Sequence, residues 1–138
     1  MLHRADLQAI ALAKYKDAEL LFANRRYSNS YYLFGYAVEI GLKARIARSF
    51  LPETIPDRRF VSDIFQHDLT KLVGLAGLSG ELAEERKRSN VFDGHWATVS
   101  SWSEQSRYDM IDEFLATAMK VAMTDQSEGI FAWLQRHW

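Results

Sequence analysis

Several side chains able to move protons or hold charged ligands sit in company that does not suit them. In YYLFGYAVEIGLKA, residues 31–44, Glu39 and Lys43 lie one helical turn apart among aromatic and aliphatic neighbours. Charges are rare in such surroundings unless they are paired. His67-Asp68 opens the amphipathic run HDLTKLVGLAGL, residues 67–78, where either side chain is placed to cap a helix. Arg107-Tyr108 follows WSEQS and is expected at the start of the last long helix. An acid, an imidazole and a guanidinium on three elements predict one inner polar cluster of Glu39, His67 and Arg107. Lys43 and Tyr108 are expected to flank it, with Lys43 nearer the rim. Such a cluster serves either as a binding site or as a hydrogen-bonded ion network that fixes helix register.

Other chemistries find little support. His3, His67, His95 and His137 fall on different elements with none four residues from another, and the chain has no cysteine. No metal site is therefore expected. Neither GxGxxG nor GxxxxGK[ST] occurs, and the glycines of GLAGLSG are explained as helix ends. No strand–turn–helix elbow surrounds a serine.

The 138 residues suffice for one domain, 1–138, with a continuous core. Apolar residues make up 48% and charged ones 25%, the balance of an ordinary globular chain. Net charge is −1, which argues against coating nucleic acid by bulk electrostatics. Of the 17 basic residues 11 are arginine, several clustered: Arg25–Arg26, Arg45 with Arg48, Arg58–Arg59 and Arg86–Lys87–Arg88. The flat guanidinium fork suits phosphate, so a local phosphate patch on a neutral protein is one expectation and solvated helix faces are the other. MLHRADLQ has an acid by position 6 and no apolar run, and no stretch is long and apolar enough to span a bilayer. A cytoplasmic location without membrane contact is the default expectation.

The elements that must position these residues are helical. Leu7, Ile10, Ala11, Ala18, Leu21 and Phe22 mark one face of a helix over 6–25, with Asp6 as cap. A second helix is expected over 28–50 behind a Ser28 cap, apolar over so wide an arc that it belongs mid-bundle or in an oligomer interface. Pro52 and Pro56 predict a loop over 51–59, followed by a short element at 60–65 and an amphipathic helix stopped by Gly77. Ser79 to Arg88 reads as an exposed charged helix ended near Asn90 and Asp93-Gly94, with a brief helical turn at 95–102. Further helices are expected over 108–124 and from Ser127 onward. No segment alternates with period two. The fold class is all-α: an antiparallel up-and-down bundle of four main helices plus short ones.

Four stretches also carry a resemblance. YYLFGYAVEIGLKARIA (31–47), HDLTKLVGLAGL (67–78), WSEQSRYD (102–109) and GIFAWLQRHW (129–138), in that order, resemble the HEPN family, the higher eukaryotes and prokaryotes nucleotide-binding domain. LAKYKDAELLFANRRYSNSYY is similar to its initial helix. The resemblance implies a short antiparallel bundle, commonly dimeric, that acts as a ribonuclease or toxin or as partner of a minimal nucleotidyltransferase. In the ribonuclease branch an arginine followed closely by a histidine lies across the dimer interface. The histidine there serves as acid/base on the 2′-OH and the arginine stabilises charge on phosphorus. Arg88 and His95 in RSNVFDGH match that pattern as Arg-x6-His, although Asp93-Gly94 predicts a turn between them. The expected function is binding of nucleotide, RNA or a nucleotidyltransferase-type partner as a homodimer, without cofactor and without strong catalysis. The alternative is a metal-independent endoribonuclease toxin of a toxin–antitoxin pair using Arg88 and His95.

Overall fold

Tyr27 to Ala47 forms the helix around which the others assemble. The computed structural model describes residues 2–138, and among these every regular element is helical. Helix α1 (Arg4–Ala23) runs into α2 (Tyr27–Ala47) through a tight reversal at Asn24–Arg26. The Arg26 amide donates to Leu21 O at 2.8 Å and the Arg25 amide to Phe22 O at 3.0 Å, with Arg25 at φ 60°. That pairing satisfies the last carbonyls of α1 with an arginine where glycine is usual. The two long helices then lie side by side, tied by the buried Ser30 hydroxyl donating to Ala18 O at 2.8 Å.

Helix α2 buries 11 of its 21 residues, on several sides at once. Its wide apolar arc is used inside the bundle, against α1, α4 (Leu69–Leu75), the 3-10 turn Glu104–Tyr108, α7 (Glu113–Thr124) and α8 (Ile130–His137). Phe34, Leu42, Ile46, Leu72, Met119 and Trp133 fill the centre. Gly35 is required by one neighbour: a Cβ there would stand 2.2 Å from the Trp102 indole. The ring therefore seats directly against the α2 backbone.

The remaining elements are short. After the irregular 48–57 segment comes α3 (Arg58–Asp63), where Asp57 accepts from the Phe60 amide. Asp68 caps α4 by accepting from Lys71 N, and Gly77 at φ 71° ends that helix. Helix α5 (Ser79–Arg88) then leads at once into α6 (Asn90–Ser100).

Local expectations are corrected at four points. Asp93-Gly94 makes no turn but lies within α6, because Ser89 caps the Phe92 amide and Phe92, Trp96 and Val99 form a buried helical stripe. That stripe outweighs glycine's modest helix penalty. The helix expected from residue 108 starts at Glu113, capped by Asp112, so Arg107-Tyr108 occupies the 3-10 turn. Ser28 caps nothing at its own helix; its hydroxyl accepts from the Ile111 amide at 2.9 Å, and His3 takes the cap position expected of Asp6. The tail helix begins at Ile130 because the Asp125 carboxylate accepts from the Ser127 and Glu128 amides and holds 125–128 as a turn. Among the described residues no helix is long and apolar enough to cross a membrane.

Two glycines give opposite expectations. Gly35→Ala should lower stability by about 1–3 kcal/mol, since the Trp102 ring must move. Gly80→Ala, in open space on α5, should raise it by about 0.5–1 kcal/mol. Chemical denaturation of the two variants checks the pair.

Candidate functional site

The central helix carries its carboxylate into the interior: Glu39 is 2% exposed. Two basic side chains meet it there. Lys43 Nζ lies 3.2 Å from Oε2, and His67 Nδ1 lies 2.7 Å from Oε1. Lys43 arrives from the next turn of α2, and His67 from the residue just ahead of the Asp68 cap of α4. The other imidazole nitrogen, Nε2, stands 3.0 Å from Glu104 Oε2 on the 3-10 turn. With both nitrogens facing carboxylates, only the doubly protonated ring donates to both.

Arg107 joins at one remove. Its Nη1 is 3.9 Å from Glu104 Oε2, and its guanidinium lies 4.9 Å from the centre of the Tyr108 ring. The chain of charges thus runs Lys43, Glu39, His67, Glu104, Arg107, and Arg107 meets Glu104 where Glu39 was expected. Tyr36 lies alongside, its ring 6.4 Å from that of His67 and 5.6 Å from that of Trp102. Burial first, and then the Glu39 charge, push its hydroxyl up to about 12. Tyr36 therefore stays a neutral phenol at neutral pH.

Outside this chain of charges the surface opens into a cavity of about 520 Å³ between the start of α4 and the 3-10 turn. His67, Asp68, Thr70, Ser103 and Glu104 line it, with Trp102 as part of the wall. Its volume falls in the range of small-ligand sites. No lysine or arginine is among its lining residues. The carboxylates of Glu39 and Glu104 stand on opposite sides of the His67 ring, so they do not converge on a point where a metal could sit.

A second polar cluster gathers the Arg-x6-His pair. Arg88, at the end of α5, donates through Nη2 to Glu128 Oε2 at 2.7 Å and also pairs with Glu85, with Nε at 2.9 Å. His95 Nε2 stands 3.0 Å from Asp125 Oδ2. The Glu128 amide donates to Asp125 Oδ1 at 3.1 Å, so both basic groups are anchored to one turn, 125–128. His95 holds the Asp125 carboxyl down at about 2, helped by the Glu128 and Ser127 amides.

Among the other arginines, Arg45 Nη1 donates to His137 O at 2.8 Å and its Nε to Ala76 O at 3.4 Å, joining α2 to the ends of α4 and α8. Arg86 pairs with Asp93 at 2.5 Å. These guanidinium groups are committed to protein acceptors.

Glu104 is the member that sequence reasoning missed, although it lies inside a stretch already singled out, WSEQSRYD. Comparison of the chain with family models, curated proteins and solved structures returned no match.

Glu39→Ala should destabilise the protein by about 2–4 kcal/mol, since it leaves His67 and Lys43 without their shared anion. A chemical denaturation midpoint measures this. The Asp125 carboxyl should titrate near 2, and His95→Ala should bring it back toward 3.8. Because its folded value is lowered, the stability it supplies is present above 3.8 and is lost as pH falls toward 2. Carboxyl-detected NMR against pH reads both.

Proposed function

We propose that the chain is a HEPN-like helical domain that binds a nucleotide-type ligand, free or at the end of an RNA strand, in the cavity beside His67 and Glu104. The observation that carries the reading is the buried Glu39 carboxylate fixing His67, which in turn fixes Glu104 on the wall of an open cavity of about 520 Å³. A side chain held from behind in this way is preorganised for a ligand in front. Binding without strong catalysis follows from the same geometry, because both nitrogens of His67 are already committed to carboxylates.

A second reading, cleavage of RNA by Arg88 and His95, is favoured by one observation: both side chains reach the same turn, 125–128. Against it, each is engaged by protein carboxylates. A phosphodiester would have to displace Glu128 or Glu85 to reach Arg88. Homodimerisation belongs to the proposal as well. It is supported by the apolar side chains left in water before and along α7, with Met110 94% and Phe114 84% exposed. A nucleotidyltransferase-type partner would compete for that same surface.

Titration calorimetry with nucleosides and short single-stranded RNA tests the first reading. The wild type and Arg88→Ala should bind alike, whereas His67→Ala should weaken binding at least tenfold. Loss of RNA cleavage in Arg88→Ala and His95→Ala, with binding in the His67 cavity absent, would install the second reading instead. Sedimentation of a monomer at tens of micromolar would remove the dimer.

A further inference from the structure

The chemistry of the cavity wall narrows the ligand further, on the premise that a nucleotide-type molecule binds there. Among its lining residues the titratable groups are His67, Asp68 and Glu104. His67 spends one nitrogen on Glu39 and the other on Glu104 Oε2, so it has no proton left to offer a phosphate. Asp68 uses Oδ1 to cap α4 through the Lys71 amide, and no protein donor among the described residues meets its other oxygen. Gln66 donates its amide to Asp63 O and keeps its carbonyl. Glu104 receives His67 and, more distantly, Arg107 on Oε2, while Oε1 has no partner among the described residues. The wall therefore offers unused acceptors and a net negative charge, the reverse of a phosphate site.

We infer that this cavity takes the Watson–Crick edge of guanine, with Glu104 accepting from the ring N1–H and the exocyclic N2 amino group. A carboxylate is an acceptor-only fork, and each of its oxygens has lone pairs for two donors. Among the common bases, guanine alone presents two adjacent donors on that edge. Adenine and cytosine place an acceptor beside the amino group, and uracil sets a single N–H between two carbonyls. Adenine and cytosine would face Glu104 with one lone pair against another. Uracil would do so on both sides. Glu104 is suited to discriminate because His67 and Arg107 hold it from behind, so the fork does not swing away to escape a poor partner. The ribose and any phosphate stay outside the wall, toward solvent and the Arg107 side.

Calorimetric titration of the intact protein with guanosine, inosine, adenosine, cytidine and inorganic phosphate tests the assignment. Inosine keeps N1–H and lacks the N2 amino group, so it should bind about tenfold more weakly than guanosine. Adenosine and cytidine should fall below inosine, and phosphate should not compete. Glu104→Gln places an amide donor on the fork and should bring guanosine down to the level of inosine. His67→Gln, which loosens Glu104 without altering it, should lose part of the preference while thermal unfolding verifies that the fold persists. Equal affinity for all four nucleosides, lost in His67→Ala, would overturn the guanine assignment and leave nucleoside binding standing. A guanosine preference unaffected by Glu104→Gln would overturn the role of Glu104. If no nucleoside binds, both the assignment and the reading beneath it fall.

Discussion

A carboxylate that is almost fully buried must have its charge answered, and Glu39 imposes that requirement on three elements at once. Left alone among Tyr36, Trp102 and the core aliphatics, it would cost several kcal/mol or pick up a proton. Lys43 answers from the same helix at little cost in order, because residues four apart already face each other. His67 must instead be delivered across space. The Asp68 cap does this, since it fixes where α4 begins and hence where the residue before it stands. Once His67 faces Glu39, its far nitrogen is brought to Glu104 on the 3-10 turn. One buried charge thus determines how α2, α4 and the 3-10 turn meet.

The same region shows why a glycine sits at 35. Trp102 immediately precedes the segment that carries Glu104, and its indole lies where a Cβ at 35 would be. The close approach lets the 3-10 turn come near enough for Glu104 to reach His67. Tyr32 and Tyr36, with rings 5.1 Å apart, cover the Trp102 ring from the neighbouring turns of α2. An edge-on aromatic cluster of this kind contributes beyond its buried area.

Much of this architecture was legible in the sequence, for reasons that also explain what was not. The 3.6-residue spacing marks α1 and α2 as helices, although Ile10 on the expected α1 face is exposed and α2 is buried on several sides, and the Asp68 and Gly77 positions punctuate α4 by known backbone preferences. Periodicity does not distinguish an apolar side chain that is buried from one that is exposed. Met110 and Phe114 extend the α7 pattern toward residue 108, yet both stand in water and the helix begins only at Glu113. Asp93-Gly94 misled in the other direction, because local turn chemistry is weaker than the buried stripe of Phe92, Trp96 and Val99. That Glu39 needed a cation was readable from its apolar neighbours. Glu104 gave no such sign, since its sequence neighbours are polar and its partner is 37 positions away.

The two polar clusters are built from the same residue types and end in opposite chemical states. Around the 125–128 turn, Arg88 faces two carboxylates and His95 faces one, so each basic group is engaged and any anion must first displace a protein group. The plainest effect of this partly buried network is to hold the α7–α8 connection against α5 and α6. Beside α4 the balance tips the other way. The single imidazole is shared between two acids, and the acid at the outer end retains acceptor capacity next to open space. Desolvation explains the asymmetry. Glu39 is buried and meets His67 at 2.7 Å, with Glu104 at 3.0 Å on the other nitrogen. Glu104 is partly exposed, is oriented more than it is neutralised, and lines the cavity as a positioned acceptor. The interior demand for charge balance is what leaves this acceptor rigid and available at the surface.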